Sequence, residues 1–208
     1  MKGYFITGTD TGVGKTFVTA AMARRARARD QRVFAFKPIE TGCERVGGRL
    51  VGSDQEILAE AAGGWQQGAL RGAYQLVQPA APLVAAESEG AVIDIHRVLH
   101  TLKEGAAKAD LVLVEGAGGW RVPITPKLDM GGLAAEIGYP VIIVARATLG
   151  TINHTLLTIE AVQRDNCWLA AVVLSRRPED DALAAASNIE QIRRCWPGTV
   201  TESIDSLI

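Results

Sequence analysis

The chain has 208 residues, 48% hydrophobic and 22% charged, enough for one α/β domain with a full core and too few for two ordinary enzyme domains and a linker. Its 22 Lys and Arg against 23 Asp and Glu give a net charge of -1, which argues against a nucleic-acid partner held by bulk electrostatics and requires any bound anion to be gripped locally. No stretch nears the roughly 20 uninterrupted apolar residues of a membrane-spanning helix, and Met1 to Ile6 lacks the apolar core and cleavage site of a secretory signal, so a cytoplasmic protein without a membrane partner is expected. Cys43, Cys167 and Cys195 are widely spaced with no C-x-x-C pair, which suggests neither a disulfide framework nor a zinc site.

In chain order, Lys2 to Thr7 reads as a short apolar strand, a Gly/Thr/Asp-rich turn follows, and Lys15 to Arg29 is rich in helix formers. Arg32 to Lys37 reads as a strand stopped by Pro38, Gly42 to Gly52 as a glycine-rich loop, and Ser53 to Ala62 as a helix with Ser53 as its N-cap. Gly63 to Glu89, with Pro79 and Pro82, gives no clear local pattern. Ile95, Val98, Leu99, Leu102 and Ala106 form one apolar stripe on a helix, with His96, Lys103 and Glu104 turned away. Leu111 to Val114, Val141 to Ala145 and Leu169 to Leu174 are continuous apolar strands, and Ile152, Leu156 and Ile159 mark a helix between the last two. Continuous apolar runs indicate strands covered on both faces, so the expected fold is a single α/β domain over residues 1–208 with a mostly parallel central sheet between helix layers.

The first strand runs into Gly8-Thr9-Asp10-Thr11-Gly12-Val13-Gly14-Lys15-Thr16 and then a helix, the setting of a phosphate-binding loop. Its glycines let backbone N–H groups face a phosphate chain, the helix start adds a positive dipole end, Lys15 reaches the outer phosphates, and Thr16 offers a hydroxyl to Mg²⁺. Thr9 stands in the first glycine slot, with Gly8 one residue earlier. Lys37 closes the second strand, and because C-terminal strand ends line the ligand crevice of a parallel sheet, it is expected on the same edge as Lys15. Glu115 ends the strand Leu111 to Val114, and Asp54 starts a helix; two carboxylates plus phosphates are a common Mg²⁺ set. Leu149 to His154 opens a helix whose free N–H groups are available to an anionic substrate end. His96, His100 and His154 form no metal spacing, and Trp65, Trp120, Trp168 and Trp196 form no basic-aromatic surface.

Taken together, the phosphate loop, Lys37-Pro38 with Thr41-Gly42, Asp54, Val114 to Trp120 and Leu149 to His154 resemble the dethiobiotin synthetase family, whose order they follow from the start to about the fifth strand. The resemblance implies an ATP- and Mg²⁺-dependent ligase that carboxylates 7,8-diaminononanoate with CO₂ and closes a cyclic urea. It implies Lys37, Lys15 and Thr11 as catalytic residues, and a nucleotide held by Asp10 to Thr16, Glu115, Gly116, Gly118 and Ser175. Thr16, Asp54 and Glu115 would arrange the metal. Substrate would meet Thr41, Gly118, Leu149, Gly150, Ile152 and Asn153, the last group reaching across a homodimer interface. Two departures stand out: Ser175-Arg176-Arg177 replaces the Asn that relatives often use to read the base, and Pro197 to Ile204 matches poorly the loop that encloses adenine, so relaxed nucleotide preference is expected. Two other P-loop readings remain, a ligase acting on another carboxylate and a partitioning-type ATPase switch. The switch proteins usually carry a lysine where this chain has Asp10, and their membrane members end in a basic amphipathic helix unlike Ser203 to Ile208.

Overall fold

A computed structural model describes residues 2–178, 180–205 and 207; Met1, Ser206 and Ile208, which belong to the terminal segments read above, lie outside the described residues. The chain begins with β1 (Lys2–Gly8), α1 (Lys15–Arg27), β2 (Val33–Phe36), β3 (Ile39–Thr41), β4 (Glu44–Val46), β5 (Arg49–Val51) and α2 (Ser53–Ala61). It continues with β6 (Tyr74–Leu76), α3 (Pro82–Ser88), α4 (Ile95–Ala106), β7 (Leu111–Gly119), β8 (Pro123–Thr125), β9 (Leu128–Asp129) and α5 (Met130–Ile137). The last third holds β10 (Val141–Arg146), α6 (Thr151–Arg164), β11 (Leu169–Ser175), α7 (Ala182–Cys195) and β12 (Val200–Thr201). Six strands make one all-parallel sheet in the order β12-β11-β10-β1-β7-β2.

The two-residue period of a strand explains how the apolar runs are used. Phe34, Phe36, Val112, Val114, Ile143 and Val172 point into one cluster, while Val33, Ala35, Leu111, Leu113, Ile142 and Val173 point into the other. The first is covered by α4, α5, α6 and α7, through Val98, Leu133, Ile159 and Ile192; the second by α1 and α2, through Met22 and Leu58. Each face is sealed, which is why these strands read as unbroken apolar segments. The outer edge of β2 is closed by side chains: Gln66 accepts from Ala35 N and donates to Ala35 O, and Trp65 Nε1 donates to Val33 O. No helix among the described residues is long and apolar enough to cross a membrane.

Three local expectations need correction, and one stretch that gave no pattern is now filled in. Gly42 to Gly52 is no open loop but the antiparallel β4–β5 hairpin, turning at Gly47 and Gly48, both with left-handed φ. Ser53 is the first residue of α2 rather than its cap; Gly52 holds the cap position without a side-chain bond. β7 does not stop at Val114 but runs to Gly119, so Glu115 lies within a strand. The unread stretch between Gly63 and Glu89 contains β6 and α3, and two further helices, α5 and α7, are capped by Asp129 and Asp181.

Gly105 in α4 sits so close to Phe34 that a Cβ there would overlap the ring. Alanine favours a helix over glycine by about 1 kcal/mol, but overpacking costs roughly 1–3 kcal/mol. Gly105→Ala is therefore expected to destabilise the fold, read as a lower urea midpoint at unchanged slope.

Candidate functional site

The loop between β1 and α1 turns on glycines. Gly14 has φ 100, a left-handed conformation, and a Cβ there would overlap Ser175 Oγ at the end of β11. A Cβ on Gly8 would come within 2.9 Å of Lys15 Nζ, so the glycine one residue before the usual slot gives the lysine its room. Lys15 folds back and donates to Asp10 O at 3.0 Å, while Asp10 Oδ1 accepts from Thr11 N at 2.7 Å. Arg146, at the end of β10, donates to Thr11 O at 3.3 Å.

Strand register assembles the charged groups. Phe36 pairs with Val114 and Ile6 with Glu115, so Lys37 emerges from β2 beside Glu115. Lys37 Nζ donates to Glu115 Oε1 at 3.1 Å and forms a close ion pair with Asp54 on α2. Thr16 Oγ1 also donates to Glu115 Oε1, at 2.8 Å. Glu115 is fully buried, and its Oε2 has no hydrogen-bond partner among the described residues.

The two lysines titrate in opposite directions. Burial pushes Lys15 down to about 8, only partly offset by Glu115, with the charge of Lys37 depressing it further. Burial would also lower Lys37, but Glu115 and Asp54 outweigh it and hold that ammonium above the ordinary lysine range. Glu40 is raised by burial, against the N–H groups of Asp54 and Gln55 and the charge of Lys37. Next to it, the buried Cys43 thiol donates to Glu40 O at 3.4 Å, and burial together with the Glu40 charge pushes it up to about 11.

A cleft of about 590 Å³ opens above these groups. Of the residues singled out in the sequence, it is lined by Thr11, Gly12, Gly14, Lys15, Thr16, Lys37, Thr41, Asp54 and Gly118, with Glu115 and Gly116 buried beneath. Ser175 lines a second cavity of about 610 Å³ together with Gly12, Val13, Gly14 and Arg146. Leu149, Gly150, Ile152 and Asn153 line neither; Leu149 is fully exposed at the start of α6. Glu40, Gln55 and Arg146 were not anticipated. Arg146 follows the same strand-end logic as Lys37, whereas Glu40 and Gln55 carry no local signal. Among the described residues, no group of three or more His, Cys, Asp or Glu could hold a metal. The donor set Thr16, Asp54 and Glu115, with one buried carboxylate oxygen left unpartnered, nevertheless suits Mg²⁺, which keeps several waters and takes few protein ligands.

A glycine loop between a parallel strand and a helix, with a lysine and a threonine at its end, defines a P-loop nucleotide-binding protein. Solved structures agree at the level of fold: the kinase domain of Escherichia coli tyrosine kinase ETK has TM-score 0.54 at 20% identity, covering 87% of this chain and 70% of that one. The Aquifex aeolicus MinC:MinD cell division protein complex gives TM-score 0.57 at 16% identity over 96% and 79%. Residues 2–204 match the AAA domain family. The chain is 46% identical over 182 residues to the ATP-dependent dethiobiotin synthetase BioD of Anaeromyxobacter dehalogenans (strain 2CP-C), covering 87% of this chain and 80% of that protein. Proteins of the same description from Aromatoleum aromaticum and Thermodesulfovibrio yellowstonii are 39% and 38% identical, over 93% and 92% of this chain and 85% and 83% of theirs. With likeness at that level across nearly the whole length, the chain belongs to the ATP-dependent dethiobiotin synthetase family.

Should Lys15 meet the outer phosphates, as proposed below, its lowered titration would make nucleotide binding proton-linked. Near pH 8 about half of these side chains are neutral in the free protein, and a triphosphate, favouring the ammonium, raises the affinity for the proton. Binding is expected to take up protons at about pH 8 and far fewer at about pH 6, where Lys15 is already charged. Calorimetric titration in buffers of different ionisation enthalpy measures this; equal heats at the higher pH would contradict it.

Proposed function

We propose that this chain, acting as one ligase domain over residues 1–208, catalyses the ATP-dependent synthesis of dethiobiotin in biotin biosynthesis, from 7,8-diaminononanoate and CO₂. The observation that carries the reading is the gathering of Lys15, Lys37, Thr11, Thr41 and Asp54 around one cleft in a chain so similar to the synthetases. In the reaction implied by the family, an amine of the substrate adds to CO₂ and loses a proton to give a carbamate. A carbamate oxygen takes the γ-phosphoryl group and ADP leaves. The second amine then attacks the carbamoyl carbon, phosphate departs with the C–O bond electrons, and loss of the amine proton leaves the cyclic urea.

Such phosphoryl transfer depends on positioning and charge neutralisation rather than a strong base. Lys37, held as an ammonium, suits a carbamate and its phosphorylated form, with Thr11 and Thr41 at the cleft wall as hydrogen-bond donors. Lys15 meets the outer phosphates, and Asp10, Gly12, Val13 and Gly14 shape the loop that receives the chain. Thr16, Asp54 and Glu115 would hold Mg²⁺, which supplies charge neutralisation to the phosphates when bound.

The second cavity, lined by Ser175 together with Gly12, Val13 and Gly14, is the proposed base site, with Gly116 and Gly118 of β7 proposed to meet the nucleotide on the side of the first cleft. With Ser175 in place of an amide side chain, selection among bases is expected to be weak. The exposed Leu149, Gly150 and Asn153, with half-buried Ile152, support a substrate carboxylate held at the start of α6 by a second copy of the chain, completing the site in a homodimer.

Incubation with diaminononanoate, bicarbonate, Mg²⁺ and ATP, followed by mass spectrometry, is expected to yield the cyclic urea; its absence with every nucleoside triphosphate would remove the assignment. Lys37→Ala is expected to lower kcat by at least about 10²-fold while nucleotide affinity changes little, since the lost contact serves the reacting centre. An unchanged kcat would refute the role given to Lys37.

A further inference from the structure

Two side chains, Glu40 at the cleft wall and Gln55 buried behind it, hold the segments that carry the reacting groups. Glu40 projects from β3, and its Oε1 accepts from Asp54 N at 2.9 Å while Oε2 accepts from Gln55 N at 2.8 Å. A carboxylate there satisfies two free N–H groups of the first turn of α2 and meets the positive end of its dipole, the task Ser53 does not perform. Gln55 then turns back: its Nε2 donates to Lys37 O at 3.0 Å and Tyr74 O at 3.1 Å, and its Oε1 accepts from Gln75 Nε2. Both amide hydrogens and the carbonyl are used, and Gln55 is 1% exposed and Glu40 5%.

Two glycines are shaped around this pair. Gly52 has an ordinary extended backbone, yet a Cβ there would overlap Glu40 Oε2, and a Cβ on Gly72 would overlap the Gln55 amide. Together with the Lys37–Asp54 ion pair itself, these bonds tie the start of α2 to the exit of β2, and the two groups they bracket are Asp54 and Lys37.

We infer that Glu40 and Gln55 are positioning residues, a buried latch that fixes Lys37 and Asp54 relative to one another and so sets the geometry in which the reaction proposed above takes place. The inference rests on that reading of the cleft for its activity readout, and on the contacts alone for its structural one. The latch's hydrogen bonds end on α2, β2 and β6 and not on the P-loop, so its loss acts on turnover and leaves intact the capture of a nucleotide measured without Mg²⁺, which Asp54 is proposed to help hold. A displacement near 1 Å at a reacting centre can cost on the order of 10²-fold in rate.

The test uses Gln55→Met, which keeps length and apolar bulk but removes every hydrogen bond of the side chain, and Glu40→Gln, which keeps an acceptor oxygen for one of the two N–H groups. Steady-state kinetics, equilibrium nucleotide binding, thermal unfolding and a crystal structure are compared with the wild-type protein. Gln55→Met is expected to lower kcat at least about ten-fold with nucleotide Kd, measured without Mg²⁺, within about two-fold, and to show Lys37 Nζ out of contact with Asp54. Glu40→Gln is expected to retain part of the rate. Overturning results are an unchanged kcat, an unchanged Lys37–Asp54 pair in the crystal, or parallel losses of nucleotide affinity, kcat and Tm, which mark a merely structural role. Should Gln55→Met not fold, Glu40→Gln decides by the same three measures. If the wild-type protein itself forms no cyclic urea, the proposed reaction falls, and the crystallographic comparison still decides the latch.

Discussion

A lysine ammonium buried between two carboxylates is the constraint on which the rest of this molecule depends. An isolated charge inside a protein is costly, and removing one partner of a buried pair commonly costs roughly 3–5 kcal/mol because the other is left uncompensated. Lys37, Glu115 and Asp54 must therefore arrive together, from β2, β7 and the start of α2. The parallel pairing of β2 with β7 brings the first two side by side, and the helix beginning after the β4–β5 hairpin delivers the third. Thr16 ties the cluster to the phosphate loop through the same Glu115 oxygen that meets Lys37.

Environment divides the labour between two lysines that sequence treats alike. Burial lowers Lys15, only partly offset by Glu115, so the arrival of an anion would favour its ammonium form. Lys37, enclosed by carboxylates, stays charged throughout. For the proposed reaction, which would handle first a carbamate and then a transferring phosphoryl group, one cation lowered by burial and one held charged by carboxylates is a coherent arrangement. It also explains how a chain of net charge -1 can hold a tetra-anionic ligand: the attraction is concentrated at one sheet edge.

How much of this was legible beforehand depends on the range over which each signal acts. The strands β1, β7, β10 and β11 were readable because both their faces are buried, leaving continuous apolar runs, and the loop at Gly8 to Thr16 because its chemistry is contiguous in the chain. Lys37 and Glu115 could be placed on one edge by the rule that parallel strands end together. The hairpin at Glu44 to Val51 escaped because its strands are short and largely exposed, without an apolar alternation to betray them. α7 escaped although Asp181 caps it by accepting from Leu183 N, since its buried stripe is sparse. Glu40 and Gln55 escaped for a deeper reason: a carboxylate capping a helix fourteen residues away leaves no spacing to detect.

The environment of Cys43 has a chemical consequence for the working life of the cleft. Thiolates, not thiols, react with peroxide and alkylating agents, and a group held near 11 is ionised to only about one part in ten thousand at neutral pH. The sulfur beside the Glu40 latch is thus shielded twice, by its surroundings and by the proton it keeps. Cys195, on α7, is exposed instead, so oxidants are expected to reach that surface thiol well before the buried one at the cleft.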